Sequence, residues 1–170
     1  MTKPVSWQIN LKGSRVLLLN DDGINAPGLK IIKDLLQPHV GELWVVAPEK
    51  EESGTSHAIS LHRPLRIREI EERCFAVDGL PADAAILALG YIMKGSTPDI
   101  VISGVNRGAN IGDDVGYSGT VGAAMEAALS GLPALSLSLC RTPPAKTRWD
   151  TVEKHLVSTL NWVLSEAWPL

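Results

Sequence analysis

A chain of 170 residues with 45% apolar and 21% charged side chains is one globular domain of ordinary size, long enough to bury most of its apolar surface in a single core. Its formal charge of -3 at pH 7 supplies no basic field, which argues against a long nucleic acid held by its phosphates. Cys74 and Cys140 stand far apart and outside any CxxC spacing, so neither a disulfide framework nor a thiolate metal site is expected, and a reducing cytoplasm is the expected setting. The start of the chain lacks a continuous apolar run and no later stretch reaches membrane-spanning length, so export and membrane insertion are not expected.

Beyond residue 15 strand-like and helix-like segments alternate, which predicts βαβ units with right-handed crossovers and a mainly parallel sheet in an α/β fold. Residues 16–19 are consecutively apolar, the pattern of a central strand covered on both faces. Asn25 is placed to cap, and Pro27 to open, a helix to about Gln37 with Leu29, Ile32, Leu35 and Leu36 on one face. Residues 43–47 read as a second strand, 48–57 as a polar loop, and 64–70 with 74–77 as two short extended segments suited to a hairpin. Pro81 opens a helix to Tyr91, with Asp83 near its positive end. Residues 99–103 read as a buried strand, 104–119 as a glycine-rich loop, 120–130 as an alanine-rich helix and 134–139 as a further strand. A final amphipathic helix over 149–167 carries Val152, Leu156, Leu160, Val163 and Leu164 as its core stripe. No repeat, linker or low-complexity tract divides the chain, so residues 1–170 are expected to form one domain.

Asp21 and Asp22 stand directly after the first buried run. Adjacent like charges repel and partial burial strips their hydration, so the pair calls for a neutralising cation, and a divalent metal is the simplest one. A tight Asn-Asp-Asp-Gly turn is the bland alternative. The loop Glu51-Glu-Ser-Gly-Thr-Ser-His57 offers Ser53, a hard neutral oxygen compatible with Mg²⁺ or Mn²⁺ beside carboxylates, although such residues are ordinary in loops. In the loop that follows Ser103 the glycines at 104, 108 and 112 are spaced by four, so neither the GxGxxG fingerprint nor a Walker lysine is present. Asn106 and Asn110 there suit either a metal and a phosphate or left-handed turns. Asp113 and Asp114 lie ten residues beyond the expected strand and read as solvated acids. Ser118 or Thr120 suits an N-cap, and the helix start beside them also suits a phosphate. His57 and His62 fit a core or a surface equally, and no GxSxG elbow marks a nucleophilic serine. In a parallel sheet the clusters around Asp21, Ser53 and Asn106 converge on one edge.

Taken together, NDDGINAPG (20–28), SGTSHAISLHRPLR (53–66), VDGLPADA (77–84) and SGVNRGANIGDDVGYSGTVGAAMEAAL (103–129) closely resemble the SurE family, the survival-protein nucleotidases. The resemblance runs from about Val16 to Leu139, with four blocks in order. It implies a Rossmann-like three-layer fold and a phosphoric monoester hydrolase that releases phosphate from nucleoside 5′- and 3′-monophosphates and, in some members, acts on short polyphosphate. It implies one divalent ion per subunit, Mg²⁺ or Mn²⁺, on Asp21, Asp22, Ser53 and Asn106, and a phosphate site at Asn110, Ser118, Gly119 and Thr120. Asp21, Asp22 and Asn110 would then carry the catalysis by a metal-activated water, while Arg107 occupies a variable place and is assigned no role. The family forms homodimers or homotetramers and normally continues well past Leu170, so the chain reads as C-terminally short, with residues 1–14 as an N-terminal extension. The alternatives are a weakly active or inactive metal and nucleotide binder, and a receiver-type signalling module, which also holds Mg²⁺ with an acidic pair but needs a phosphorylatable aspartate and a lysine that are not in place here.

Overall fold

The computed structural model describes residues 6–140, 146–166 and 168–169, with the backbone alone at 6–7 and 168–169. The elements in the first half are β1 (Ser6–Trp7), β2 (Arg15–Leu19), α1 (Pro27–Leu36), β3 (Glu42–Pro48), β4 (Ile67–Glu71) and β5 (Cys74–Val77). There follow α2 (Pro81–Leu87), a π-helical turn (Ala88–Ile92), β6 (Ile100–Asn106), the single turn α3 (Asp114–Tyr117), α4 (Gly119–Leu129), β7 (Ala134–Ser138), α5 (Trp149–Ser165) and β8 (Trp168–Pro169).

Six strands form one sheet in the order β4-β5-β3-β2-β6-β7, parallel throughout except for β4, which returns antiparallel on β5 as the expected hairpin. The five parallel strands, numbered by themselves, run 3-2-1-4-5. That is the Rossmann order 3-2-1-4-5-6 over its first five strands, and it differs from the 2-1-3-4-5 order of receiver-type folds. The apolar run of β2 explains its central place: Val16 and Leu18 face one layer while Leu17 and Leu19 face the other. On the first side α1 and α5 pack through Leu29, Ile32, Leu36, Val152, Leu156, Leu160 and Leu164. On the second, α2 and α4 pack through alanines, which let these helices sit close to the sheet. Burying four such side chains on one short strand contributes about 1.5–3 kcal/mol each before conformational entropy is counted against it.

Several boundaries differ from expectation. Residues 104–106 belong to β6, because a bulge sets three steps from Ser103 to Asn106 against two from Ser136 to Ser138 on β7. Gly104, at φ +129°, permits it: a Cβ there would lie 2.3 Å from the Leu137 carbonyl oxygen. Asn106 is thereby carried to the very end of the strand. The helix expected over 81–91 ends at Leu87 and widens into the π turn, where the Met93 N–H reaches the Ala88 carbonyl at 2.8 Å and Met93 enters the core. Asn25 is exposed and does not cap α1; Ala26 holds that place, with Pro27 needing no partner for the N–H it lacks. The last helix stops at Ser165, where Glu166 turns extended. Part of the N-terminal extension joins the core, with Leu11 buried and the Ile9 N–H on the Leu164 carbonyl at 3.1 Å. Among the described residues no helix is long and apolar enough to cross a membrane.

Candidate active site

The switch in strand order falls between β2 and β6, and their carboxyl ends open the crevice in which such sheets bind ligands. Asp21 and Asp22 leave the end of β2 in a turn closed by the Asn20 amide on the Gly23 carbonyl at 2.9 Å. The polar loop after β3 folds over this turn. Its Glu52 N–H donates to the Asp21 carbonyl at 2.7 Å, its Ser56 N–H to the Tyr117 carbonyl at 3.0 Å, and the Ser56 hydroxyl to the Gly116 carbonyl at 2.7 Å. On α4 a Cβ at Gly122 would lie 2.2 Å from the Ser56 carbonyl oxygen, so glycine alone lets the loop settle there. Half-buried His57 adds a side-chain tie to Glu126 of α4 at 2.7 Å, while His62 is exposed.

A cavity of about 250 Å³ results, and Asp21, Asp22, Ser53, Asn106, Asn110 and Ser118 all line it. Six side chains from three separate sequence blocks therefore meet, as the parallel-sheet expectation required. Gly119 and Thr120, expected at the phosphate, stand instead behind Asp21. Thr120 is fully buried and its hydroxyl donates to Asp21 Oδ1 at 2.6 Å, while a Cβ on Gly119 would lie 2.9 Å from that of Asp21. Ser118 is the N-cap of α4, accepting the Val121 N–H at 3.2 Å. Asp113 and Asp114 are both exposed as expected, yet Asp114 lines the cavity and Asp113 does not.

Four carboxylates, Asp21, Asp22, Glu51 and Asp114, line this space against one cationic side chain, Arg107. Burial pushes the Asp21 carboxyl above its usual range and the neighbouring Asp22 charge adds to that, while the bond from Thr120 opposes it. Asp22 is raised by burial and by Glu51, against the Arg107 N–H that donates to its Oδ2 at 3.2 Å. An unbalanced acidic cluster of this kind favours a cation. The donor chemistry fits one. Ser53 gives its proton to Glu51 Oε1 at 3.1 Å, and the Asn106 amide gives one to the Gly108 carbonyl at 3.1 Å, which leaves the serine lone pairs and the asparagine carbonyl as acceptors. Among the described residues no hydrogen bond engages Oδ1 of Asp22. Two carboxylates, a hydroxyl and an amide carbonyl make an all-oxygen set suited to a hard divalent ion. Among the described residues no group of three or more His, Cys, Asp or Glu side chains is arranged to hold a metal, so the neutral oxygens would have to complete the shell.

Three participants escaped the sequence: Glu51, the Arg107 backbone N–H, and the Thr120 hydroxyl as a support for Asp21. No local sequence feature marks any of these three roles. A second cavity of about 330 Å³ shares Asp22, Glu51 and Arg107 with the first and extends to Trp149.

The sequence matches the family model described as survival protein SurE over residues 16–169. It is 46% identical over 154 residues to the 5′-nucleotidase SurE of Paramagnetospirillum magneticum, covering 91% of this chain and 59% of that protein. It is 56% identical over 130 residues to the 5′-nucleotidase SurE of an Anaeromyxobacter species, covering 76% of this chain and 50% of that protein. The fold is similar to the crystal structure of the SurE protein from Aquifex aeolicus, with a TM-score of 0.81 at 36% identity over 89% of this chain and 60% of that one. The chain thus spans about half to three fifths of the length of the relatives it matches. With three sequence blocks assembled at the switch of a Rossmann-like sheet and matches of this extent, the chain belongs to the survival protein SurE family.

Proposed function

We propose that this chain is a divalent-metal-dependent nucleotidase, hydrolysing nucleoside 5′- and 3′-monophosphates to nucleoside and phosphate. The observation that carries the reading is the meeting of Asp21, Asp22, Ser53 and Asn106 in one cavity with acceptor oxygens to spare. The names of the relatives support the same activity.

Those four residues would hold one Mg²⁺ or Mn²⁺. When bound, such an ion supplies the positive field that a phosphate needs in this acidic space, polarises the phosphoryl group and acidifies water. The protein's own contributions follow from its bonds. Thr120 and the Arg107 N–H each fix one carboxylate oxygen, so Asp21 and Asp22 are oriented before any substrate arrives. The Asn110 amide spends one hydrogen on the Ser138 hydroxyl at 2.8 Å and keeps its second for a phosphate oxygen. Ser118, at the start of α4, presents a polar group where the helix dipole favours negative charge. One of the two aspartates would also accept a proton from the attacking water.

Phosphate release from adenosine 5′- and 3′-monophosphate with Mn²⁺ or Mg²⁺, before and after chelation, tests the reading. Metal-dependent release from the nucleotides is expected. Metal binding without any release would overturn it.

A further inference from the structure

In the segment that leads into α4, Ile111, Val115 and Tyr117 are large apolar side chains that the proposed chemistry leaves unused. These residues are 67%, 42% and 69% exposed, an unusual display for large apolar groups beside a binding cavity. Tyr117 lines the cavity itself. Its backbone is pinned from behind: its carbonyl and that of Gly116 both accept from Ser56, and the next residue, Ser118, caps α4. Among the described residues no hydrogen bond engages its hydroxyl. The ring is thus anchored at its root and open to solvent.

The size of the cavity shows why a substrate would reach it. At about 250 Å³ it falls below the roughly 300–1,000 Å³ of pockets that enclose a whole small ligand. A phosphate and its adjoining sugar would occupy the polar interior, which leaves the base to the rim, where Tyr117 is the aromatic side chain that lines this cavity; the adjoining cavity that reaches Trp149 lies on the other side of Asp22, Glu51 and Arg107 and does not include Asn110 or Ser118. Resting on the nucleotidase reading, we propose that Tyr117, with Ile111 and Val115 as its apolar neighbours in the same segment, is the platform on which the base of a nucleoside monophosphate stacks. Every base has a π face, and neither Ile111 nor Val115 carries a hydrogen-bonding side chain, so this platform discriminates base from no base rather than one base from another.

Calorimetric titration of wild type, Tyr117→Phe and Tyr117→Ala with adenosine 5′-monophosphate, uridine 5′-monophosphate and ribose 5-phosphate, in Mn²⁺, tests it, alongside turnover of the same compounds. Wild type should prefer both nucleotides to the base-free sugar phosphate, and Tyr117→Phe should keep that preference. In Tyr117→Ala the preference should fall roughly fivefold or more, fivefold being the low end of base–aromatic stacking. A preference that survives in Tyr117→Ala while all three compounds still bind and are cleaved overturns the platform and leaves the nucleotidase standing. Equal losses for nucleotide and sugar phosphate also overturn it, since they assign Tyr117 to general positioning. A preference that survives while light scattering shows a changed particle mass assigns the rim to a contact between copies and overturns it as well. A wild type that neither binds nor cleaves any of the three overturns both readings.

Discussion

Thr120 Oγ1 and Asp21 Oδ1 are joined by a 2.6 Å hydrogen bond that ties the start of α4 to the end of β2 across 99 positions of sequence. Both residues are almost completely buried, at 0% and 3% exposure. Thr120→Val keeps the shape and removes the donor, so Asp21 would retain its burial and lose a partner. The expected result is a loss of about 1–3 kcal/mol in urea unfolding, with turnover falling further than stability because the carboxylate is no longer fixed. Thr120→Ser should recover most of both. Unchanged turnover in a folded Thr120→Val protein would remove Asp21 orientation from the account.

Asp22 is in the opposite position, a half-buried carboxyl that burial and Glu51 both push toward the neutral form. Asp22→Asn therefore removes a charge the fold does not favour while keeping the acceptor for the Arg107 N–H. Its melting temperature without metal should equal or exceed that of wild type. Its Mn²⁺ affinity should fall roughly 100-fold or more, since even the outer partners of metal ligands carry about 10–100-fold. Wild type at 100 times its dissociation constant for Mn²⁺ should gain about 2.7 kcal/mol and lose it again on chelation. Equal thermal stabilisation of wild type and Asp22→Asn by Mn²⁺ would place the cation elsewhere.

These two residues also show where sequence reasoning reaches and where it stops. Asp22 was legible because an acid against the apolar run of β2 breaks a local pattern. The bond from Thr120 was not, since it depends on two helix and strand ends meeting in space. The same distinction separates β2, whose buried run declares itself, from the last residues of β6. Those read as loop in the sequence, because Gly104 looks like a turn residue until β7, thirty positions on, supplies the Leu137 carbonyl that demands a glycine. Glu51 does not declare itself, since one more acid in a polar loop carries no periodicity and no motif; only the Ser53 bond and the nearness of Asp22 give it a place.

Gly122 tests whether the loop after β3 must lie flat on α4. With the Ser56 carbonyl oxygen 2.2 Å from where a Cβ would sit, Gly122→Ala cannot be absorbed by a side-chain rotation, because the obstructing atom is backbone. Alanine is the better helix former by about 1 kcal/mol, so propensity alone predicts stabilisation. Overpacking opposes this with about 1–3 kcal/mol and should win. The loop that carries Ser53 would lift, and Mn²⁺ affinity should fall in step with the unfolding free energy. A Gly122→Ala protein that is more stable than wild type and binds Mn²⁺ equally well would show that the loop has room to move.

Away from the site, Arg15 and Glu42 join the first residues of β2 and β3 at 2.6 Å. The guanidinium bond, helped by the Trp44 indole N–H, holds the Glu42 carboxyl down to about 2 from an ordinary 4.5. A carboxyl whose folded value lies below its unfolded one contributes stability while it is ionised in both states, and loses that contribution as acid protonates it. The Glu42 contribution should accordingly be complete above pH 4.5 and fade as the pH falls toward 2. Glu42→Gln measures it directly. The difference in unfolding free energy between wild type and Glu42→Gln should be constant from neutrality to about pH 5 and shrink toward a smaller residual by about pH 2. Because the pair is about one third exposed, the difference should also narrow in high salt. A difference that stays level across that acid range would mean that Glu42 acts through packing and the Trp44 bond instead of its charge.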